Sequence, residues 1–278
     1  MKRNIVVLGG TGKTGRRIVE RLEKLGHHVR VGSRGATPAF DWNDPAGWPA
    51  VLEGMERVYI TYQPDLAVPG AKEAVQALIK VAKQKGISKL VLLSGKGEVE
   101  AQRCEQIVLN SGINSTIVRA SWFNQNFSES FFLPPIQAGV VALPMAHLGA
   151  PYVDANDLAD VAVKLLLSDD HEGEIYELTG PRLWNFEQIT SAISKATGRE
   201  LQFIPISLPE FVAALKGQGV PEDVVWLMEY LFTEVLDNPD NQVITHDIEH
   251  LLGRPPVDFT QYVEETAKTG IWNAEVEA

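Results

Sequence analysis

The stretch Asn4–Leu22, which reads NIVVLGGTGKTGRRIVERL, constrains the fold more than any other part of the chain. A short apolar run typical of a buried strand ends at Leu8, glycines follow at once, and a helix begins near Gly12. Glycine permits a tight turn and removes the Cβ that would keep a ligand away, while amides at a helix N-terminus can face a phosphate. The stretch therefore predicts a strand–turn–helix unit that binds a phosphate-bearing ligand.

Two kinds of phosphate fit these letters. The sequence Gly12-Lys13-Thr14 closes a nucleoside-triphosphate loop, but that loop also needs a glycine five residues earlier, where this chain has Val7 inside the strand. The glycine spacing instead matches the turn that holds a dinucleotide pyrophosphate. The alternative to a dinucleotide-binding turn is an ordinary glycine-rich turn between a strand and a helix. We predict that the pyrophosphate is held by Gly9, Thr11, Gly12, Lys13, Thr14 and Gly15.

The residues after the second strand indicate which nicotinamide cofactor binds. An NAD site usually has an acid there, which binds the ribose 2′-hydroxyl. This chain has VGSRGA, with Ser33 and Arg34 and no acid. A guanidinium pairs well with a 2′-phosphate, and Lys13 can add a second cation. We therefore predict NADP(H), the alternative being that Arg34 is only a solvated loop residue.

Hydrophobic periodicity predicts the fold class. Stretches with helical spacing separate several of the short apolar runs, which favours a parallel sheet covered on both faces. We predict an α/β fold with a doubly wound parallel (Rossmann) sheet and a smaller, mostly helical C-terminal substrate lobe. The predicted Rossmann domain is 1–150, with a strand and a helix contributed by 151–185, and the lobe is 186–278. The runs lie at Asn4–Leu8, His28–Val31, Arg57–Thr61, Lys89–Leu93 and Ser115–Arg119.

Charge and composition limit the partners. The net charge of −11 disfavours nucleic acid and anionic membrane surfaces. No apolar stretch approaches the ~20 residues needed to span a bilayer, and the single cysteine, Cys104, allows no internal disulfide. We predict a cytoplasmic protein whose partner is a small-molecule substrate. The sequence leaves monomer and homodimer open.

Several patterns resemble metal or nucleophile sites. The segment His246–His250 reads HDIEH, a zinc-protease pattern, but it offers no third ligand and is better explained as a solvated helix face. Asp154, Asp157 and Asp160 suit the start of a helix without any metal. Cys104 has the spacing of a small core residue. We predict no metal site.

The chain resembles a known group, the NmrA-like branch of the atypical short-chain dehydrogenases. The resemblance covers most of the chain, to about Trp272, and the motifs follow the family's order. Within that branch the chain looks most similar to bacterial relatives of the ergot-alkaloid (agroclavine and festuclavine) dehydrogenases, with the type 2 quinone oxidoreductases as a nearby match. The motifs are VVLGGTGKTGRRIVERL, SR, FDW, KLVLLS and SGINSTIVRASWFNQNF.

The resemblance implies roles for residues at three further places. Asp41 would lie against the adenine, and Ser94 would lie near the nicotinamide ribose. Residues after the strand at Arg57–Thr61 would run along the cofactor's ribose and diphosphate, namely Thr61, Tyr62, Gln63 and Pro64. The border of the nicotinamide and substrate pocket would be formed by Trp122, Phe123 and Asn126.

The chain departs from short-chain dehydrogenases at the catalytic pair. No Tyr-x-x-x-Lys occurs, and Arg103 and Cys104 stand where a pair would be sought, so the sequence assigns no catalytic residue. Some NmrA-like members that lack the pair still transfer hydride, and others bind the dinucleotide and regulate without chemistry. We predict an NADPH-dependent oxidoreductase that transfers hydride to a small electron-poor acceptor, a quinone or a cyclic iminium. A non-catalytic regulatory protein that senses NADP(H) is the alternative.

Overall fold

The computed structural model describes residues 2–273, so the last five residues of the predicted lobe, 274–278, lie outside the described residues. These residues form eight strands and eleven α-helices. The strands are β1 (Asn4–Leu8), β2 (His28–Gly32), β3 (Arg57–Ile60), β4 (Lys89–Gly95), β5 (Asn114–Ala120), β6 (Val140–Leu143), β7 (Ile175–Leu178) and β8 (Gln202–Pro205). The helices are α1 (Gly15–Lys24), α2 (Trp48–Leu52), α3 (Ala71–Gln84), α4 (Val99–Leu109), α5 (Leu133–Ala138), α6 (Ala155–Leu167), α7 (Phe186–Thr197), α8 (Leu208–Gly217), α9 (Glu222–Tyr230), α10 (Asp247–Leu252) and α11 (Phe259–Ala267).

Six of the strands form one parallel sheet in the order β2-β1-β3-β4-β5-β7. The central strands are apolar on both faces, since Ile5, Val6, Val7 and Leu8 of β1 are all fully buried. The strand order reverses between β1 and β3, and ligands of such sheets bind beyond the carboxyl ends of the strands at this reversal. The predicted α/β class with a parallel Rossmann-like sheet is confirmed.

The chain divides into two compact units, each built from separate segments. The first contains the chain up to Ala120, then Ala155–Leu178 and Asp247–Arg254. It therefore holds the whole six-stranded sheet together with α1–α4, α6 and α10. The second contains Ser121–Asp154, Thr179–His246 and the chain from Pro255 onward.

Amphipathic helices cover the sheet of the first unit. The buried stripe of α3 includes Val75, Leu78 and Ile79, which repeat at helical spacing. Cys104 of α4 is also fully buried, so its prediction as a small core residue is confirmed. The sequence-distant segment Asp247–Arg254 is attached by ion pairs, because Arg254 lies 2.6 Å from Asp157 and 2.7 Å from Asp160 of α6.

The second unit contains a small sheet that the sequence analysis missed. Strands β6 and β8 pair in parallel, with Val140 opposite Gln202. The other elements of this unit surround an aromatic core. Its most buried rings are Phe127, Phe186, Phe232, Phe259 and Trp272.

Candidate functional site

In the turn after β1, Gly9 and Gly15 are packed too closely to carry a side chain. A Cβ on Gly15 would lie 2.2 Å from the carbonyl oxygen of Gly9, and one on Gly9 would lie 2.5 Å from Thr61 Cγ2. Gly9 also has a φ of +65°, which L-residues with side chains rarely adopt. The Gly12 amide donates to the Gly9 carbonyl at 2.9 Å and closes the turn. The three glycines of the motif thus bring the start of α1 directly against the end of β1.

The N-terminus of α1 has no side-chain cap from its own N-cap residue. Thr14 occupies that position, but its side chain does not accept from the first-turn amides. Its buried hydroxyl oxygen instead accepts a hydrogen bond from the Tyr59 phenol at 3.0 Å. Tyr59 is fully buried, and burial raises the pKa of its phenol, so it remains a neutral donor. A helix start of this kind, carrying the positive end of the helix dipole, suits a phosphate.

After β2 the backbone folds into a compact loop. The Ser33 carbonyl accepts from the amides of Ala36 and Phe40, at 3.2 and 2.9 Å. Arg34 lies on this loop with an exposed side chain. Asp41 is the first acid after the strand; its backbone carbonyl accepts from Trp48 Nε1 at 2.7 Å. The structure thus places a cation, and no acid, immediately after β2.

The predicted residues after β3 lie beside the glycine turn. Trp42 donates from Nε1 to the Thr61 carbonyl at 3.1 Å, and its ring lies 4.7 Å from that of Tyr62. A Cβ on Gly12 would lie 3.6 Å from the side-chain amide nitrogen of Gln63, so these two residues are neighbours. Burial raises the pKa of the Tyr62 phenol. The structure therefore brings Thr61 and Gln63 next to the glycine turn.

Ser94, near the end of β4, belongs to a charged network that the sequence analysis missed. Its hydroxyl donates at 2.6 Å to Glu105 of α4, whose side chain is fully buried. Arg119 of β5 binds the same carboxylate, with the closest contact at 2.7 Å, and also contacts Glu177 of β7 at 3.1 Å. Lys96 lies 3.4 Å from Glu177. The network fixes the Ser94 hydroxyl at the carboxyl edge of the sheet.

A pair of acids lies at the same edge and was also missed. Glu98 follows β4, Asp65 lies in the loop after β3, and the charge of Asp65 acts on the Glu98 carboxyl. Glu98 is only 6% exposed, and its Oε2 has no hydrogen-bond partner. Burial, followed by the nearby charge of Asp65, raises the pKa of the Glu98 carboxyl well above its usual range. Nothing in the spacing of EVEAQRCEQIV indicates which of its acids are buried.

The predicted acceptor-binding residues lie in the second unit. Trp122 is half-buried in its aromatic core, where its ring centre is 5.7 Å from that of Phe232 and 6.4 Å from that of Phe186. Phe123 and Asn126 are also partly buried, and the Asn126 amide donates to the Phe123 carbonyl at 3.1 Å. The three residues are thus held together on one turn beside a rigid apolar wall.

The patterns interpreted as decoys form no metal centre. Among residues 2–273, no three His, Cys, Asp or Glu side chains come together as a metal site requires. Of the HDIEH pattern, His250 is an exposed residue of α10 and His246 precedes that helix. Nor does any helix in this part of the chain combine the length and apolar character needed to cross a membrane.

Comparison with protein families decides the relationship that the motifs suggest. The family model described as the NmrA-like family matches residues 1–262. The chain belongs to the NmrA-like family.

Curated relatives match nearly end to end. Prestalk A differentiation protein A of Dictyostelium discoideum is 28% identical over 95% of this chain and 93% of its own length. An NAD(P)H azoreductase of Xenophilus azovorans is 29% identical over 95% of this chain and 98% of its own. Agroclavine dehydrogenase of Claviceps fusiformis is 25% identical, over 94% and 96% respectively. The predicted resemblance to this family and to the ergot-alkaloid dehydrogenases is confirmed.

Solved structures share the fold. An NADPH-dependent quinone oxidoreductase from Escherichia coli, complexed with NADPH, has a TM-score of 0.74 and 21% identity, covering 94% of this chain and 99% of its own. A triphenylmethane reductase from Citrobacter, complexed with NADP(H), has a TM-score of 0.75 and 17% identity, covering 95% and 99%. At these identities the likeness shows a common fold.

Proposed function

We propose that this protein is an NADPH-dependent oxidoreductase that reduces a small, electron-poor acceptor, a quinone or a cyclic iminium. The observation that carries the proposal is the glycine turn at the start of α1, followed after β2 by Arg34 with no acid beside it. Family relatives named as an azoreductase and an agroclavine dehydrogenase support a reductive activity. When bound, the cofactor supplies the hydride.

The residues of the first unit fit a dinucleotide phosphate. The turn leaves no room for a Cβ at Gly15, and the α1 N-terminus offers amides that the Thr14 side chain does not cap. Arg34 with Lys13 would bind the 2′-phosphate. The pyrophosphate would be held by Gly9, Thr11, Gly12, Lys13, Thr14 and Gly15. Thr61, Tyr62, Gln63 and Ser94 would follow the cofactor along the carboxyl edge, with Asp41 at its adenine end.

On the acceptor side, Trp122 and Phe123 would press a planar molecule into place, with Asn126 beside it. Trp122 suits this role because four aromatic rings pack around it, so its indole is rigid before any ligand arrives. Hydride transfer to a quinone or an iminium depends first on position and orientation, and an iminium takes no proton at all. Such acceptors would explain how a chain without Tyr-x-x-x-Lys catalyses reduction.

The test is an acceptor panel with NADPH and NADH, in which quinones, cyclic iminium ions and cationic triphenylmethane dyes are offered in turn. We expect acceptor-dependent oxidation of NADPH with at least one class. Absence of turnover above background with every acceptor would refute the enzymatic proposal.

Two tryptophan variants test the acceptor side. Trp122→Ala should raise the KM for the acceptor and leave the Kd for NADPH unchanged. Trp226→Ala is the matched control, since Trp226 lies in the same unit but is 43% exposed and stacks only on Tyr230 among the rings of the described residues. Equal effects of the two variants would contradict the assigned role of Trp122.

A second candidate is a non-catalytic protein that senses the NADP(H) redox state. Two observations favour it: the absence of the Tyr-x-x-x-Lys pair, and a relative named as a differentiation protein. A sensor should bind NADP+ and NADPH with different affinities and show no turnover in the acceptor panel. Isothermal calorimetry with each cofactor form, beside that panel, distinguishes the two candidates.

A further inference from the structure

The geometry points to the buried carboxyl of Glu98, paired with the neighbouring acid Asp65, as the group that supplies the proton for acceptors whose reduction requires one. This inference rests on the proposed function and assigns a residue to the place left empty by the missing Tyr/Lys pair. No motif in the sequence marks either acid, and they come together only through the fold.

The first observation is position. Asp65 follows β3 and Glu98 follows β4, and these strands are parallel neighbours, so both acids lie at the edge where the glycine turn ends β1. Ser94, the residue expected near the nicotinamide ribose, lies four positions before Glu98 and at this same edge. The pair is therefore placed toward the reactive end of a cofactor that enters at α1.

The second observation is close packing of the Glu98 carboxyl. A Cβ on Gly95 would lie 1.8 Å from Glu98 Oε1, so the carboxyl rests on bare glycine backbone. Glu98 is 6% exposed, and its Oε2 is buried without a partner. A buried carboxylate without hydrogen bonds or a counter-charge is costly, so the neutral, protonated form is favoured. The unpartnered Oε2 can make one further hydrogen bond.

The third observation is charge. The charges that act on Glu98 are those of two acids, Asp65 from the loop after β3 and Glu105 from α4. The cation nearest in sequence, Lys96, lies against Glu177. Cys104 is a neutral thiol because burial raises its pKa to about 11, and the charges of Glu105, Asp65, Glu73 and the cation Lys72 also act on it. Like charges and burial both favour the protonated form of the Glu98 carboxyl.

The chemistry gives the pair a defined task. Reduction of a quinone to a hydroquinone takes one hydride from NADPH and one proton, so that NADPH + Q + H⁺ becomes NADP⁺ + QH₂. Reduction of a cationic triphenylmethane dye takes the hydride alone, so that NADPH + D⁺ becomes NADP⁺ + DH. The proton from the acid pair is therefore needed with a quinone and not with a cationic dye, and it is restored from water after each turnover.

The experiment compares the wild type with Glu98→Gln on both acceptors. Gln is similar in shape and can donate to Asp65, but it has no acidic proton. General acid catalysis commonly contributes about a hundredfold or more, so kcat with the quinone should fall by about that factor while dye reduction and the Kd for NADPH stay unchanged. With the wild type, kcat for the quinone should decrease as pH rises through the raised pKa of the pair, and the variant should lose that limb.

Two further variants complete the design. Asp65→Asn removes the negative neighbour of Glu98 and should move the quinone pH limb to lower pH. Glu100→Gln is the matched control, since Glu100 lies in α4 two positions after Glu98, is partly exposed and pairs with Arg103, and it should change neither reaction. Infrared spectroscopy of the cofactor-free protein should show a protonated carboxyl band that Glu98→Gln lacks, a readout independent of activity.

The outcomes separate this inference from the proposed function. If the wild type reduces neither acceptor, the proposed function fails. If it reduces both, and Glu98→Gln either leaves both rates unchanged or lowers both equally, the pair is not the proton source. A missing infrared band in the wild type would also overturn the inference.

Discussion

At the scale of single residues, Arg34 is the side chain that we propose selects the cofactor. The side chain is exposed on the loop after β2 and takes no part in the core. Its proposed role depends only on its positive charge, which would pair with the 2′-phosphate that NADPH has and NADH lacks. Its replacement should therefore affect one cofactor and leave the fold intact.

We expect Arg34→Ala to weaken NADPH binding by about tenfold, the equivalent of about 1.4 kcal/mol, and to leave NADH binding unchanged. Calorimetric titration with both cofactors measures this directly. Arg103→Ala is the control, an exposed arginine on α4 that pairs with Glu100. Equal affinity of the wild type for the two cofactors would count against the assignment, as would an unchanged NADPH affinity in the variant.

Gly15 is the residue at which steric fit is most demanding. In Gly15→Ala the new Cβ would lie 2.2 Å from the Gly9 carbonyl oxygen, and backbone cannot move aside as a flexible side chain can. We expect a loss of about 1–3 kcal/mol in the free energy of unfolding, together with loss of NADPH binding. Urea denaturation and cofactor titration are the measurements.

The matched control for this substitution is Gly217→Ala in α8, where a Cβ would meet nothing within 4 Å. That variant should leave the free energy of unfolding unchanged or raise it by up to about 1 kcal/mol. If Gly15→Ala proved as harmless, the close packing of the turn would not matter to stability or binding.

At the scale of elements, the ends of β4, β5 and β7 are joined to α4 through one buried carboxylate. Glu105 is fully buried and accepts from both Ser94 and Arg119. Hydrogen bonding to this carboxylate raises the pKa of the Arg119 guanidinium further, so the guanidinium stays charged. Removing one partner of a buried pair leaves the other charge uncompensated.

Arg119→Met should therefore lower the free energy of unfolding by about 3 kcal/mol, because Glu105 would lose its counter-charge. Chemical denaturation measures the change. Arg103→Met, which removes only an exposed pair with Glu100, should cost less than about 1 kcal/mol. A similar small loss in both variants would show that the network contributes little to stability.

The elements also show what the sequence could and could not predict. Strands β1–β5 were predicted within about two residues, because strands buried on both faces are uninterrupted apolar runs. The β6–β8 sheet was missed, since each strand has four residues and its partner lies some 60 positions away. Such short runs carry no periodic signal of their own.

The same distinction holds at the candidate site. The glycine turn and Arg34 were found because they are contiguous with a strand and so carry a local pattern. The Glu98–Asp65 pair and the Ser94–Glu105–Arg119 network were not found, because their members come from different elements. Which acid of α4 points inward is set by packing against β4 and β5, and sequence spacing does not encode it.

At the scale of the whole molecule, the buried acid pair makes stability depend on pH. The pKa of Glu98 is higher in the folded protein than its ordinary value of 4.5, so the folded state binds more protons. The stabilising contribution of the protonated Glu98 carboxyl is full below about pH 4.5, and it is lost as pH rises through the raised pKa of this carboxyl. Each further pH unit within that window then favours the unfolded chain.

Glu98→Gln removes this dependence. We expect the free energy of unfolding of the variant, relative to the wild type, to increase between about pH 5 and pH 8. Urea denaturation across that range, without cofactor, measures the difference. A constant difference between the two proteins over the range would show that Glu98 does not hold its proton in the folded state.

The interleaved order of the two units has a consequence for protein synthesis. When Ala120 emerges from the ribosome during translation, the later parts of the first unit do not yet follow it. These parts are α6, β7 and the segment that ends at Arg254. Until β7 emerges, β5 presents an open strand edge, the kind of surface on which nascent chains aggregate or recruit chaperones. The Arg254 ion pairs with Asp157 and Asp160 can form only after the segment that ends at Arg254 has been made, so the first unit cannot complete its fold before that point.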